Sequence, residues 1–152
     1  NNPFFQDINL IPTKGELIEI ETEIKDKSVT YIGSVFIQHK EGNNWSVGAT
    51  YDTNDQSYNP TERQKANLLR RLDSMLKLPY KVVEHFAGVR PATLDRRPLI
   101  GEHHQHKDMF LMNGFGSKGS SLAPMLVSEC INLMLNGKKV HQEAQLERYV
   151  SN

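Results

Sequence analysis

Gly114-Phe115-Gly116-Ser117-Lys118-Gly119 fits the pattern G-x-G-x-x-G. Ahead of it, Met109 to Met112 reads as a strand. Behind it, Leu122, Met125, Leu126, Cys130, Leu133 and Met134 recur at helical spacing. A glycine turn between strand and helix lets backbone approach an anion or an electron-rich ring, and the helix start adds unpaired N–H groups and the positive end of a dipole. Position decides how the turn is read. Only 33 residues follow Gly119 in a chain of 152. They hold one helix and a polar stretch, with no second strand to carry an acidic ribose ligand, so this is not the opening fingerprint of a nucleotide-binding domain. The turn is a late cofactor contact or simply a tight turn, and the chain is not a doubly wound parallel sheet.

Working outward, Asn136-Gly137 closes the second helix. Lys138 to Asn152 is polar and reads as a tail or short extra helix. Upstream, Pro98 to Gly101 and Val82 to Val89 read as strands. A first helix starts at Asn59-Pro60-Thr61-Glu62, with Asn59 as cap and Glu62 completing a capping box. Leu68, Leu69, Leu72, Met75 and Leu76 form its buried stripe, and Leu78-Pro79 ends it. Gly15 to Glu21 alternates polar and apolar residues, the pattern of a half-buried strand. Val29 to Gln38 is a second strand, and Trp45 to Tyr51 returns from the turn Lys40 to Asn44. Strand pairs with helices inserted late predict an α+β fold, a mostly antiparallel, mixed sheet with two main helices.

Composition narrows the function classes. Apolar residues are 38% and charged residues 24%, as in ordinary globular proteins. Lys plus Arg and Asp plus Glu are both 18, which lacks the basic excess of a nucleic-acid-coating surface. No apolar run approaches a membrane span. The start, Asn1-Asn2-Pro3-Phe4-Phe5, lacks the basic and apolar regions of a secretory signal, and it lacks an initiator Met, which fits a processed or excised segment. The single cysteine, Cys130, allows no internal disulfide and fits a reducing compartment, so the expected location is cytoplasmic.

Several blocks in one order carry a resemblance. Thr13-Lys14-Gly15-Glu16-Leu17 and Val47-Gly48-Ala49-Thr50 come first. Gly88-Val89-Arg90-Pro91-Ala92-Thr93-Leu94-Asp95-Arg96-Arg97-Pro98-Leu99-Ile100-Gly101 follows. Gly114 to Gly119 with Leu122-Ala123-Pro124 closes the set. Together they resemble the D-amino-acid oxidase and glycine oxidase superfamily of FAD-dependent oxidoreductases, whose signature is G-x-R-P-x-T-x-D-x-x-P-x-I-G. The family's N-terminal strand, fingerprint turn and ribose ligand are absent and are expected before residue 1. The resemblance implies that residues 1–107 form part of the substrate-binding, catalytic domain. Residues 108–137 would be the closing strand, turn and helix of the FAD domain, with 138–152 as a C-terminal tail.

The same resemblance implies site residues. The arginine of the G-x-R-P motif binds the substrate carboxylate in amino-acid-oxidising members, which assigns that role to Arg90; its planar fork suits a carboxylate. The last helix of the family points its N-terminus at the flavin. Gly114, Gly116, Ser117, Lys118, Gly119 and Ser120 are therefore the expected cofactor contacts, with a solvated lysine and simple helix capping by Ser120 and Ser121 as the plainer alternatives. Arg96 and Arg97 read as surface charge, and Asp95 as a residue ordering the turn. His85 reads as a hydrogen-bonded structural histidine. His103-His104-Gln105-His106 reads as a solvated loop, its spacing unlike a closed zinc site. Tyr31, Tyr51 and Tyr80 read as packing, and Met125 and Met134 as core. No motif for nucleophilic hydrolysis is found, and no catalytic residue or metal ligand is assigned.

The implied function is the C-terminal part of an enzyme that oxidises a primary or secondary amine, such as glycine, sarcosine or a D-amino acid, by hydride transfer to flavin. Most of the FAD site would lie in the missing N-terminal segment, leaving this piece inactive alone and prone to self-association. Two alternatives stay open. One is the oxidase domain of the bifunctional tRNA wobble-uridine modification enzyme, which Gly116-Ser117-Lys118-Gly119 and Ala123-Pro124 also resemble. The other is a non-catalytic α+β binding module.

Overall fold

The computed structural model describes residues 2–150; Asn1, Ser151 and Asn152, the last two being the end of the expected tail, lie outside the described residues. The fold is α+β, as its patterning predicts. The chain forms two compact units: Thr13–Val89, and the segments Asn1–Pro12 and Arg90–Asn152.

The first unit is built on a five-stranded sheet in the order β2-β3-β4-β1-β5. Strand β1 (Ile11–Thr22) pairs antiparallel with β4 (Asn44–Gly48), setting Ile18 opposite Val47 and Ile20 opposite Trp45. The expected single strand Val29 to Gln38 is instead a hairpin of β2 (Thr30–Ile32) and β3 (Phe36–His39), because the chain reverses at Gly33-Ser34-Val35 and the Gly33 N–H donates to the Val35 carbonyl. The returning strand is also shorter than expected, ending at Gly48. Ile18, Ile20, Ile37, Trp45 and Val47 meet Leu68 and Leu72 of helix α1 (Glu62–Met75) in the core. Burying each such side chain stabilises by about 1.5–3 kcal/mol. Strand β5 is Tyr80–Ala92.

Two details correct the sequence reading. Strand β1 is not half-buried: Lys14 and Glu16 continue the buried face of Ile18 and Ile20 at 1% exposure each, and Thr13 and Glu19 on the opposite face are only 0% and 7% exposed. The cap of α1 is Thr61, not Asn59. The Thr61 hydroxyl accepts the Gln64 N–H at 3.3 Å, and the Thr61 N–H and hydroxyl are both held by the Glu16 carboxylate, so the chain enters the helix there.

The second unit contains the hairpin of β6 (Leu99–Glu102) and β7 (Phe110–Asn113) and the helix α2 (Gly119–Asn136). The division expected at residues 107–108 falls within this hairpin. Gly137 closes α2 in the left-handed conformation, as Asn136-Gly137 suggests. Leu126 and Cys130 of α2 pack with Ile100, Val140 and Ala144. Burial pushes the Cys130 thiol above its ordinary range. Met125 and Met134 are not core; each is more than half exposed. They lie off the stripe that Leu126, Cys130 and Leu133 turn toward the hairpin. The polar C-terminal stretch takes the second of its two expected forms, a short extra helix. It forms a 3-10 turn (Gln142–Ala144) and the short helix α3 (Glu147–Val150), and it buries Val140, Ala144 and Leu146.

Candidate functional site

The second unit carries Arg90 and the glycine turn. Arg90 is half-buried at the end of β5. The loop after it is tightly tied. The Thr93 hydroxyl donates to the Arg97 carbonyl at 2.7 Å, the Arg96 N–H donates to the Thr93 carbonyl, and the Asp95 carboxylate accepts the Arg97 N–H at 3.1 Å. Asp95 therefore orders the turn, as its position suggests. Arg96 is exposed in the left-handed region at φ 58°. Arg97 is half exposed and pairs with Glu143 at 3.5 Å.

The glycine turn lies directly against this loop. Phe115 forms an antiparallel bridge with Ala92, and the Gly116 N–H donates to the Pro91 carbonyl at 3.3 Å. Gly114 has φ 75°, and a Cβ there would stand 2.7 Å from the Thr93 methyl. Only glycine meets both demands. Gly116 also adopts a left-handed backbone, at φ 53°. Helix α2 then opens with Lys118 at the cap position, and the Lys118 side chain makes no capping hydrogen bond. Ser121 donates its hydroxyl to the Lys118 carbonyl, so the capping role considered for the serines is not the one they play. Ser117, Lys118 and Ser120 are exposed.

Residues 1–129 match the family described as FAD dependent oxidoreductase, DAO. The chain belongs to this family. It is 28% identical over 147 residues to the glycine oxidase of Bacillus subtilis, covering 92% of this chain and 40% of that protein. It is 31% identical over 115 residues to a tRNA 5-methylaminomethyl-2-thiouridine biosynthesis bifunctional protein of Albidiferax ferrireducens, covering 68% of this chain and 19% of that one. The crystal structure of glycine oxidase from Geobacillus kaustophilus superposes with a TM-score of 0.72 at 26% identity, over 88% of this chain and 37% of that one. The oxidoreductase-family chain thus spans about 40% of the length of the first of these relatives.

The glycine turn suits a flavin. Two left-handed glycines keep side chains off the turn, and the uncapped end of an 18-residue helix presents backbone N–H groups and a positive dipole end. Among the described residues, no three His, Cys, Asp or Glu side chains are grouped to hold a metal. No helix among them is long and apolar enough to cross a membrane.

Sequence reasoning missed a buried ionic network in the first unit. The Lys14 ammonium donates to the Asp55 carboxylate at 2.5 Å, to the Ser57 hydroxyl and to the Asn59 carbonyl, and lies 3.4 Å from Glu16. Glu16 also takes the Thr61 N–H and hydroxyl and stands 2.9 Å from His85 Nε2. His85 is thereby structural, as expected. The Lys14 hydrogen bond pulls Asp55 down to about 2, and the Asp55 hydrogen bond in turn raises Lys14. The family-like block Val47 to Thr50 joins this network, since Thr50 Oγ1 accepts the Glu16 N–H at 2.8 Å. Gly48 lies opposite Leu17, whose side chain a Cβ would overlap. The motif residues could have prompted this, because Lys14 and Glu16 share one strand face.

In the histidine loop His104, Gln105 and His106 are exposed, as expected, and His103 alone departs from the solvated reading. His103 is 7% exposed. Its Nδ1 faces the N–H groups of Gln105 and His106, and its Nε2 lies 2.6 Å from the Phe4 carbonyl. Tyr31 and Tyr80 pack on the core, whereas Tyr51 is 58% exposed.

Proposed function

We propose that this chain supplies the substrate-carboxylate arginine and the closing flavin contact of an FAD-dependent enzyme that oxidises a primary or secondary amine, with an amino acid as substrate. The observation that carries the reading is the junction of the two blocks: the Gly116 N–H on the Pro91 carbonyl and the Phe115–Ala92 bridge bring the segment after Arg90 against the turn that opens α2. Arg90 holds the substrate carboxylate with its planar fork. Gly114, Gly116, Ser117, Lys118, Gly119 and Ser120 would contact the cofactor, and the helix start would offer it N–H groups and the positive end of a dipole. Bound FAD would supply the electron acceptor. In this reading most of the FAD site lies outside this chain, residues 108–137 belong to an FAD domain and residues 1–107 to a substrate domain. No membrane is involved, and the expected location is the cytoplasm.

The test is anaerobic mixing of the flavin-loaded protein containing this chain with glycine, sarcosine and D-amino acids. Flavin bleaching by one of them supports the reading; no bleaching by any amine or amino acid sinks it. The likeness to the bifunctional tRNA-modification protein favours a second reading, with a glycine-like adduct on RNA as substrate. Bleaching by modified tRNA and not by free amino acids selects that one.

A further inference from the structure

The match to the family ends at residue 129, yet the segment beyond α2 grips the loop that follows Arg90. We infer that Arg148 and Tyr149 are positioning residues for the substrate-carboxylate site, holding residues 93–98 and, through them, Arg90. The inference rests on the role assigned to Arg90 above.

The C-terminal segment is anchored before it reaches the loop. Val140, Ala144 and Leu146 are buried. The Leu146 N–H donates to the Ile100 carbonyl at 2.9 Å, and Gln145 forms a parallel bridge with Ile100, adding a short third line to the β6–β7 hairpin. Gly101 makes this approach possible, since a Cβ there would overlap the Leu146 side chain.

From that anchor two side chains reach the loop. The Arg148 guanidinium donates to the Arg97 carbonyl at 3.2 Å and the Pro98 carbonyl at 3.1 Å, and pairs with Asp95 at 3.2 Å. All three contacts converge on one guanidinium nitrogen, Nη2, while Nη1 donates to the Gln145 carbonyl at 3.5 Å. The Tyr149 hydroxyl accepts the Leu94 N–H at 2.9 Å and donates to the Asn9 carbonyl at 3.2 Å. The loop is thus held at Leu94, Asp95, Arg97 and Pro98 by a segment distant in sequence. Its other end is fixed by Pro91 and Ala92 on the glycine turn. Arg90 is the residue next to that fixed end. Releasing the outer clasp loosens the loop that sets its backbone, and a displacement of about 1 Å in a positioning group can cost on the order of a hundredfold in rate.

Two measurements test this. In the 152-residue chain, Arg148→Gln and Tyr149→Phe should each raise amide exchange at Leu94, Arg96 and Arg97 about tenfold, leaving Ile18 and Ile20 unchanged. In the flavin-loaded protein containing the chain, both variants should raise KM for the amino acid about tenfold with kcat changed less than about threefold, while a matched amine without a carboxylate changes less than about twofold. Tyr149→Phe keeps its ring and carries the comparison alone if Arg148→Gln fails to fold. Unchanged exchange, or equal losses on both substrates, overturns the positioning role and leaves the role of Arg90 standing. Arg90→Lys, run alongside, separates the two. If it leaves KM unchanged while the clasp variants raise it, the role of Arg90 falls, and with it the target of the clasp.

Discussion

Gly114→Ala probes the contact on which the site depends. At φ 75° an L-residue loses about 1–2 kcal/mol to backbone strain. The added Cβ would also stand 2.7 Å from Thr93 Cγ2 and 3.4 Å from the Arg97 carbonyl, and forcing a methyl into such a space costs about 1–3 kcal/mol. The sum, about 3 kcal/mol, lowers Tm by roughly 6–12 °C for a chain of this size. Calorimetry or denaturant unfolding reads it directly. Three controls separate the contributions. Gly88→Ala meets nothing within 4 Å and has no left-handed backbone, so it should be near neutral. Gly137→Ala, at φ 64° with nothing within 4 Å, should show the backbone cost alone, about 1–2 kcal/mol. Thr93→Ser keeps the hydroxyl that donates to Arg97 and removes the methyl. In that background Gly114→Ala should cost about 1 kcal/mol less than in wild type. Equal costs in the two backgrounds, or a Gly114→Ala protein as stable as wild type, would refute the packing of the glycine turn on the loop.

Other outcomes follow from particular groups. Asp55 is held near 2 rather than its ordinary 3.8, so its pairing contributes fully above 3.8 and is lost as pH falls toward about 2. Asp55→Asn should flatten that part of an acid-unfolding profile, and an unchanged profile would remove the ion pair from the account. His103 faces two backbone N–H donors with Nδ1 and the Phe4 carbonyl with Nε2, so Nδ1 accepts and Nε2–H donates, and nitrogen NMR shifts of the Nδ1–H tautomer would contradict this. Val127, Ile131, Met134 and Leu135 form an exposed apolar face of α2. The isolated chain should therefore sediment above its monomer mass of 17.3 kDa, with Ile131→Lys and Leu135→Lys together restoring the monomer, and it should be colourless if most of the FAD site lies outside it as proposed. A monomeric wild-type chain, or one that purifies yellow, would contradict these expectations.

The periodic elements were legible in the sequence because one face of each repeats locally. Helix α1 shows its stripe at Leu68 and Leu72, and α2 shows its end at Gly137. What encloses a charged residue on a strand is not a local property. The alternation of β1 reads as half-buried, yet Lys14 and Glu16 are enclosed by Asp55, Ser57, Thr61 and His85, residues 41 to 69 positions away for the bonded pairs from Lys14 to Asp55 and from Glu16 to His85. Met125 and Met134 fit a buried stripe by type but point off it. The polar C-terminal stretch hides three buried apolar residues spaced too irregularly to signal an element. At the site, motif order nominated Arg90 and the glycine turn separately. Their adjacency comes from the Ala92–Phe115 bridge, a long-range pairing that no local pattern announces.

The role of Arg90 is tested most directly by Arg90→Lys in the flavin-loaded protein containing this chain. Lysine keeps the charge and loses the fork. The ratio of kcat/KM for the amino acid over that for the matched amine without a carboxylate should fall roughly tenfold or more, as expected for losing a hydrogen bond to a charged group. A ratio unchanged from wild type would show that Arg90 does not hold the substrate carboxylate.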